Sequence, residues 1–488
     1  MSFPRAAGIL LHPTSLPGPN GIGELGAEAH RFLDFLAATG MKVWQVLPLG
    51  PTGYGDSPYQ CFSAFAGTPL MIAIAGGGGD FAPRTVEFER VIPHKQAMIE
   101  AAFAKFAPGD AYRAFVAANG DWLPDYALFM ALKQAHGGVA WTEWEAGAAA
   151  RDHDALERWR GRLAAPLERF QMEQYYFFTQ FHALKKGCAD RGIQLMGDLP
   201  IYVAHDSADV WSHRDLFELE PNGRPRVQAG VPPDYFSATG QLWGNPIYNW
   251  DAIRAQGYDW WIRRMRAAFE LFDIVRIDHF RGFQAFWEVP GDAKTAVDGR
   301  WAKGPGAELF EAISAALGPL PIVAENLGLI TPDVEELRQR FGFPGMSILQ
   351  FAFGSDGQAT DFKPHNFPRE RVVYTGTHDN DTTMGWWNST GGADSTRTAA
   401  DVEKEKAYAK RYLATDGSEM NWTLMRAALA SVANTVLIPF QDVLGLGSEA
   451  RMNLPGSSSG NWRFRFSWDQ VTPEMTRRLR ELVDTYDR

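Results

Sequence analysis

The sequence predicts an α/β protein built as a parallel (β/α)8 barrel of the TIM type. Three observations carry that expectation. Eight short apolar, β-branched runs follow one another along the 488 residues. None of them alternates apolar with polar residues, as strands covered on both faces do not. Helical patterns lie between most of them, and strands alternating with helices build a parallel sheet. A doubly wound open sheet is the second choice.

The runs, in order, are AGILLHP at 7–13, VWQVLPL at 43–49, IQLMGDLPIYV at 193–203, DIVRIDHF at 273–280, IVAENLG at 322–328, SILQFAF at 347–353, VVYTGTHDN at 372–380 and TVLIPFQDV at 435–443. Helices are expected at 27–38, 173–191, 260–272, 307–317 and 331–341. The last opens Thr-Pro-Asp, with an N-cap residue and Pro in the first turn. Two stretches exceed what the repeat needs. Residues 51–167 separate strands two and three, and 204–257 separate strand three from its helix. The expectation is one catalytic barrel over 1–488, with both stretches forming insertion subdomains around the C-terminal mouth.

Composition narrows the function. With 47 basic and 58 acidic residues the formal charge is −11, which argues against nucleic acid or an anionic membrane as partner. Two cysteines, Cys61 and Cys188, suit a reducing compartment and cannot make a cysteine-rich zinc site. The opening apolar stretch is broken by His12 and Pro13, unlike a signal peptide, and there is no run of about 20 apolar residues to span a bilayer. A soluble cytoplasmic protein is expected. Aromatics reach 13%, with 17 Trp, and aromatic faces serve both cores and pyranose rings.

GIGELG at 21–26 matches G-x-G-x-x-G, but Pro13, Pro17 and Pro19 separate it from the first strand. No acidic residue closes the next strand, so the nucleotide reading is rejected.

In a barrel of this type the chemistry sits at the C-terminal strand ends. Those ends carry Asp198; Arg276, Asp278 and His279; Glu325 and Asn326; His378, Asp379, Asn380 and Asp381; and Gln441 and Asp442. So many carboxylates in one layer beside Arg and His point to an active site. Arg276 and Asp278, two apart on a strand, share a face, and the guanidinium is expected to keep Asp278 ionised and fit to be a nucleophile. Glu325 has no adjacent Arg and is expected to hold a proton for a leaving group. Two carboxyls on neighbouring strand ends with separated pKa values are what glycosidic cleavage needs. The histidines make no His-x-His pair, so no catalytic metal or other cofactor is expected.

The motifs AGILLHPTSLPGPNGIGELG, WQVLPLGPTGYGDSPYQCFSAFAGTPLMI, GDLPIYVAHDSADVW, VRIDHFRGF, VAENLG and TGTHDNDTT resemble, in order and over nearly the whole chain, those of the amylomaltases. These form glycoside hydrolase family 77 of the α-amylase clan. The resemblance implies a 4-α-glucanotransferase. Asp278 then matches the nucleophile that forms a covalent glucosyl–enzyme, Glu325 the acid/base and Asp379 the third carboxylate. Asp198, Arg276 and His378 match residues that orient the nucleophile and grip the same sugar. Tyr59 matches an aromatic stacked on that ring, with Ser57 nearby. Asp234, Tyr235, Phe236, Gln241 and Trp243 fall in a loop resembling a lid over the acceptor side. Asn461 and Trp462 match a C-terminal segment near the site. Asp198 is followed by Pro200, Ile201 and Tyr202 instead of the Asn-His of α-amylases, which argues against calcium and for transfer. The implied partners are α-1,4-glucans and glucose as acceptor, acted on by a monomer or weak homodimer. The competing reading is a hydrolase of the α-amylase type using the same carboxylates.

Overall fold

The computed structural model describes residues 3–233, 239–355, 357–391, 398–457 and 459–488. All eight expected strands are present: β1 (Ala6–Leu10), β2 (Val43–Gln45), β3 (Gln194–Pro200), β4 (Ile274–Asp278), β5 (Ile322–Ala324), β6 (Gly345–Ile348), β7 (Arg371–Tyr374) and β8 (Thr435–Pro439). They form one parallel sheet in the order β6-β7-β8-β1-β2-β3-β4-β5. The open sheet is thereby excluded. The two end strands meet through two bonds. The Ala324 amide donates to Pro344 O at 2.9 Å, and the Met346 amide donates to the Asn326 side-chain oxygen at 2.8 Å. A side chain thus completes the barrel where the ladder lapses.

The two-residue period of a strand divides the barrel's inside from its outside. Ala6, Val43, Met196, Ile274, Val323, Met346, Val372 and Leu437, from the eight strands in turn, pack together as one buried apolar cluster. The alternate residues Ala7, Trp44, Leu195, Val275, Ile322, Val373 and Val436 pack into a separate, larger core. Two residues beyond the inner apolar layer stand Gln45, Asp198, Arg276, Glu325 and Tyr374. The polar layer therefore rests on a dry floor.

Helices Ala27–Thr39, Asp259–Leu271, Ala307–Leu317 and Pro332–Arg340 agree with expectation to within a residue or two. Thr331 occupies the N-cap position of the last, but its side chain makes no cap bond. The helix before β3 runs Ala164–Ala189, starting earlier than expected. Pro166 lies in its first turn, where a missing N–H costs little. The 51–167 stretch contains helices Phe88–Phe103, Asp110–Ala118, Leu123–Ala135 and His153–Arg162. GIGELG serves packing: the Gly23 amide donates to Thr14 O at 2.9 Å, and a Cβ there would lie 1.8 Å from Pro13 O.

One element escaped the sequence reading. Strands Val227–Val231, Gln241–Pro246, Ala285–Pro290 and Arg300–Lys303 form a second, antiparallel sheet. Val227–Val231 lies between Gln241–Pro246 and Ala285–Pro290, and Arg300–Lys303 is the outer strand beside Ala285–Pro290. The 204–257 stretch therefore does not stand alone but pairs with the segment after β4. Arg300–Lys303 is four residues long and largely exposed, so it offers no apolar pattern to read. Among the described residues no helix is long and apolar enough to cross a membrane.

Replacing Asn326 with Ala leaves the Met346 amide without its acceptor at the barrel seam. The expected cost is about 1–3 kcal/mol, read as a lowered thermal midpoint. An unchanged midpoint would mean that the seam does not need this bond.

Candidate active site

Strand register builds the centre of the site. Asp198 on β3 lies directly opposite Arg276 on β4, both pointing inward at the level above the apolar floor. Nη1 of Arg276 donates to both Asp198 oxygens, at 2.7 and 2.6 Å. Nη2 donates to Asp278 Oδ1 at 2.9 Å. One buried guanidinium thus holds two carboxylates from adjacent strands. Burial pushes the Asp198 carboxyl up, against the pull of Arg276. In the same layer, the Tyr374 hydroxyl donates to Gln45 Oε1 at 2.8 Å.

Glu325 stands one step past the β4–β5 pairing Ile277↔Ala324, so the register sets it beside Asp278. Its amide continues the ladder to Ile277 O at 3.0 Å. Its carboxylate accepts the amides of His279 at 2.9 Å and Leu327 at 2.6 Å. Directly after the His279 N–H the chain turns, His279 being left-handed with φ 54°, a conformation rare outside glycine and common at functional turns. The two amides favour the charged form. Burial, and then the charge of Asp278, outweigh them and push Glu325 to about 7. Arg276 also lowers this value. Glu325 is therefore within reach of the guanidinium that the sequence reading assigned to Asp278 alone, and burial still wins.

An aromatic wall joins the 51–167 stretch to the strand ends. The Tyr59 hydroxyl donates to Asp198 Oδ2 at 2.9 Å and lies 3.0 Å from His378 Nε2. Having given its proton to Asp198, it accepts from His378, which places the imidazole proton on Nε2. The Tyr59 and His378 rings stack with centroids 5.2 Å apart. Trp462, also left-handed with φ 66°, lies 5.7 Å from the Tyr59 ring and 6.0 Å from His378. Ser57 Oγ accepts the Tyr59 amide at 3.2 Å, shaping the turn that presents Tyr59. Asp379 Oδ1 stands 3.4 Å from His378 Nε2. On the opposite side Trp243 sets its ring edge against His279, centroids 4.8 Å apart, and its Nε1 donates to Gln241 Oε1 at 3.2 Å. The structure thus gathers Tyr59, Asp198, Arg276, Asp278, Glu325, His378, Asp379 and Trp243 around one mouth. Asn461 instead closes its own loop, its Oδ1 accepting the Leu454 amide at 2.9 Å. Asp234, Tyr235 and Phe236 lie outside the described residues.

Three strand-end candidates are engaged in structure. Asp442 accepts from the Thr375 and Thr383 hydroxyls and the Thr383 amide. Asp381 accepts from the Thr382 amide and Ser448, and Gln441 Nε2 donates to Ala450 O at 3.2 Å. Residue type alone did not separate them from Asp278. Conversely, Asn453 donates to Asp379 Oδ1 at 2.6 Å and Arg451 to Asp379 O at 2.6 Å. Both sit in a loop without strand or motif context, so sequence reasoning missed them. His12, at the end of β1, is buried against this region, and burial followed by the charge of His378 drives its imidazole down to about 3. Among the described residues no three His, Cys, Asp or Glu side chains are grouped to hold a metal.

This geometry agrees with what the chain resembles. The family described as 4-alpha-glucanotransferase, glycoside hydrolase family 77, matches residues 11–471. A 4-alpha-glucanotransferase of Thermus thermophilus is 50% identical over 511 aligned positions, covering 100% of both chains. One from Synechocystis sp. is 46% identical, covering 99% of this chain and 98% of the relative. An amylomaltase from Streptococcus agalactiae, solved in complex with acarbose, superposes with a TM-score of 0.93 at 38% identity, covering 99% of each chain. A parallel barrel with paired carboxylates at its mouth, matched over its full length by such relatives, places the chain in glycoside hydrolase family 77, the 4-α-glucanotransferases.

Proposed function

We propose that the chain transfers segments of α-1,4-glucans to the 4-hydroxyl of another glucan or of glucose, by a retaining double displacement. The observation that carries the mechanism is the pairing of Asp278 and Glu325 on neighbouring strands with different surroundings. Neighbouring strands lie about 4.8 Å apart, and retaining enzymes hold their two carboxyls about 5–5.5 Å apart. Asp278, hydrogen-bonded to Arg276, attacks the anomeric carbon. Glu325, pushed to about 7, gives its proton to the departing glycosidic oxygen as that bond breaks. The product is a glucosyl ester on Asp278. Glu325, now charged, takes the proton of the acceptor 4-hydroxyl, whose oxygen displaces Asp278 and restores both groups.

Asp379, fixed by Asn453, and His378 grip hydroxyls of the sugar under attack. Tyr59 and Trp243 supply the aromatic surfaces. The acarbose bound to the Streptococcus amylomaltase supports an α-glucan in this cleft, and the names of the relatives support transfer over hydrolysis. Cys61 and Cys188 are both free thiols, which supports a cytoplasmic setting.

Incubation with maltotriose tests the reading. Transfer yields glucose, maltose and longer oligomers with no gain in reducing ends. Reducing ends that rise with bond cleavage would make the chain a hydrolase. Asp278→Asn should lower kcat at least about 1,000-fold, and near-parental turnover would overturn its assignment as nucleophile.

The proton on Glu325 also sets a pH dependence. Bond cleavage needs that proton, so kcat/KM should fall above about pH 7. The folded-state value is raised, so this group's contribution to stability is complete below the ordinary 4.5 and is lost as pH rises through about 7. The thermal midpoint of Glu325→Gln should therefore gain on the parent between those values and level off above them. A gap that does not vary with pH would contradict the raised value.

A further inference from the structure

A second aromatic surface lies outside the cleft described above. Trp301, on the outer strand Arg300–Lys303 of the small sheet, is 39% exposed. It is directly opposite Trp287 in the register, and the two rings meet edge to face with centroids 5.3 Å apart. Trp287 is itself fixed. Its Nε1 donates to Ala296 O at 2.8 Å, and its indole lies so close over Gly299 that a Cβ there would come within 2.2 Å of Nε1. The guanidinium of Arg281 lies over one face of Trp301, 3.9 Å from the ring centroid. With Arg281 over one face and Trp287 against the ring, the residue still keeps 39% of its surface exposed. Nearby Val297 and Leu329 are 47% and 61% exposed.

The chain connects this surface to the catalytic mouth twice. Arg281 follows Asp278 by three residues, in the turn Phe280–Phe283. Leu329 follows Glu325 by four, and Arg281 Nη1 donates to its carbonyl. The platform is thus tied through Arg281 and Leu329 to the loops that follow Asp278 and Glu325. A held, half-exposed indole joined in this way to the mouth of a polymer site offers an apolar surface to a pyranose ring.

We propose that Trp301, set by Trp287 and Arg281, is an outer subsite for a glucose unit of a long α-1,4-glucan, beyond the rings held in the cleft. The proposal rests on the glucan-transfer reading and deepens it. Short donors end before this platform, and long ones reach it.

The test compares Trp301→Ala and Trp301→Tyr with the parent, on maltotriose and on amylose chains of several dozen glucose units. Trp301→Ala is expected to raise KM for amylose about fivefold, the weight of one aromatic contact, with kcat and KM for maltotriose unchanged. Trp301→Tyr should recover most of the loss. An equal change on both donors, or no change on either, would overturn the subsite; the equal change would make Trp301 a strut for the Glu325 loop. If Trp301→Ala does not fold, Trp301→Leu reads the same dependence on donor length by the same criteria. A parent unable to disproportionate maltotriose would instead sink the transfer reading itself.

Discussion

A single buried cation organises the site. Arg276 is 4% exposed and lies inside the barrel, where an unpaired charge is costly. Its two Nη nitrogens are taken by Asp198 and Asp278. That bond network explains why Asp278 has one orientation. It also links the wholly buried Asp198 to Asp278 through one guanidinium. Through Asp198 the guanidinium holds Tyr59, and through Tyr59 it holds His378. The aromatic wall from the stretch after β2 is thereby tied to the strand ends it covers.

Glu325 is built by contrast. It sits one strand away, accepts the backbone amides of His279 and Leu327 and is pushed up by burial. Two carboxyls beside each other in the same mouth thus receive different surroundings from their neighbours alone. His279 is part of this arrangement: its amide donates to Glu325, and its ring, beyond a left-handed backbone, packs against Trp243. The second sheet is thereby coupled to the strand that carries Asp278. Trp301 stands on the opposite edge of that sheet from Trp243.

Much of this was legible in the residues because it follows from period. Arg276 and Asp278 are two apart on a strand, so they share a face in any parallel barrel. The eight apolar runs were readable because both faces of each strand are covered. Asp278 stood out by its neighbour Arg276, but nothing local marked Asp442 as a structural carboxylate, because its bonds to Thr375 and Thr383 form only on folding. Asn453 was invisible, since its role arises when a loop folds back over Asp379. The sheet containing Arg300–Lys303 was missed because an exposed outer strand of four residues bears no hydrophobic signature. Tertiary pairing, not local pattern, makes it a strand.

The central claim is a glucosyl ester on Asp278, and trapping it is the most direct test. Glu325→Gln, supplied with an α-glucosyl fluoride whose leaving group needs no proton, should form the ester and lack the base that speeds its transfer. Mass spectrometry of the digested protein should then find a glucosyl adduct on the peptide carrying Asp278. An adduct on another residue, or none while the fluoride is still consumed, would contradict the account.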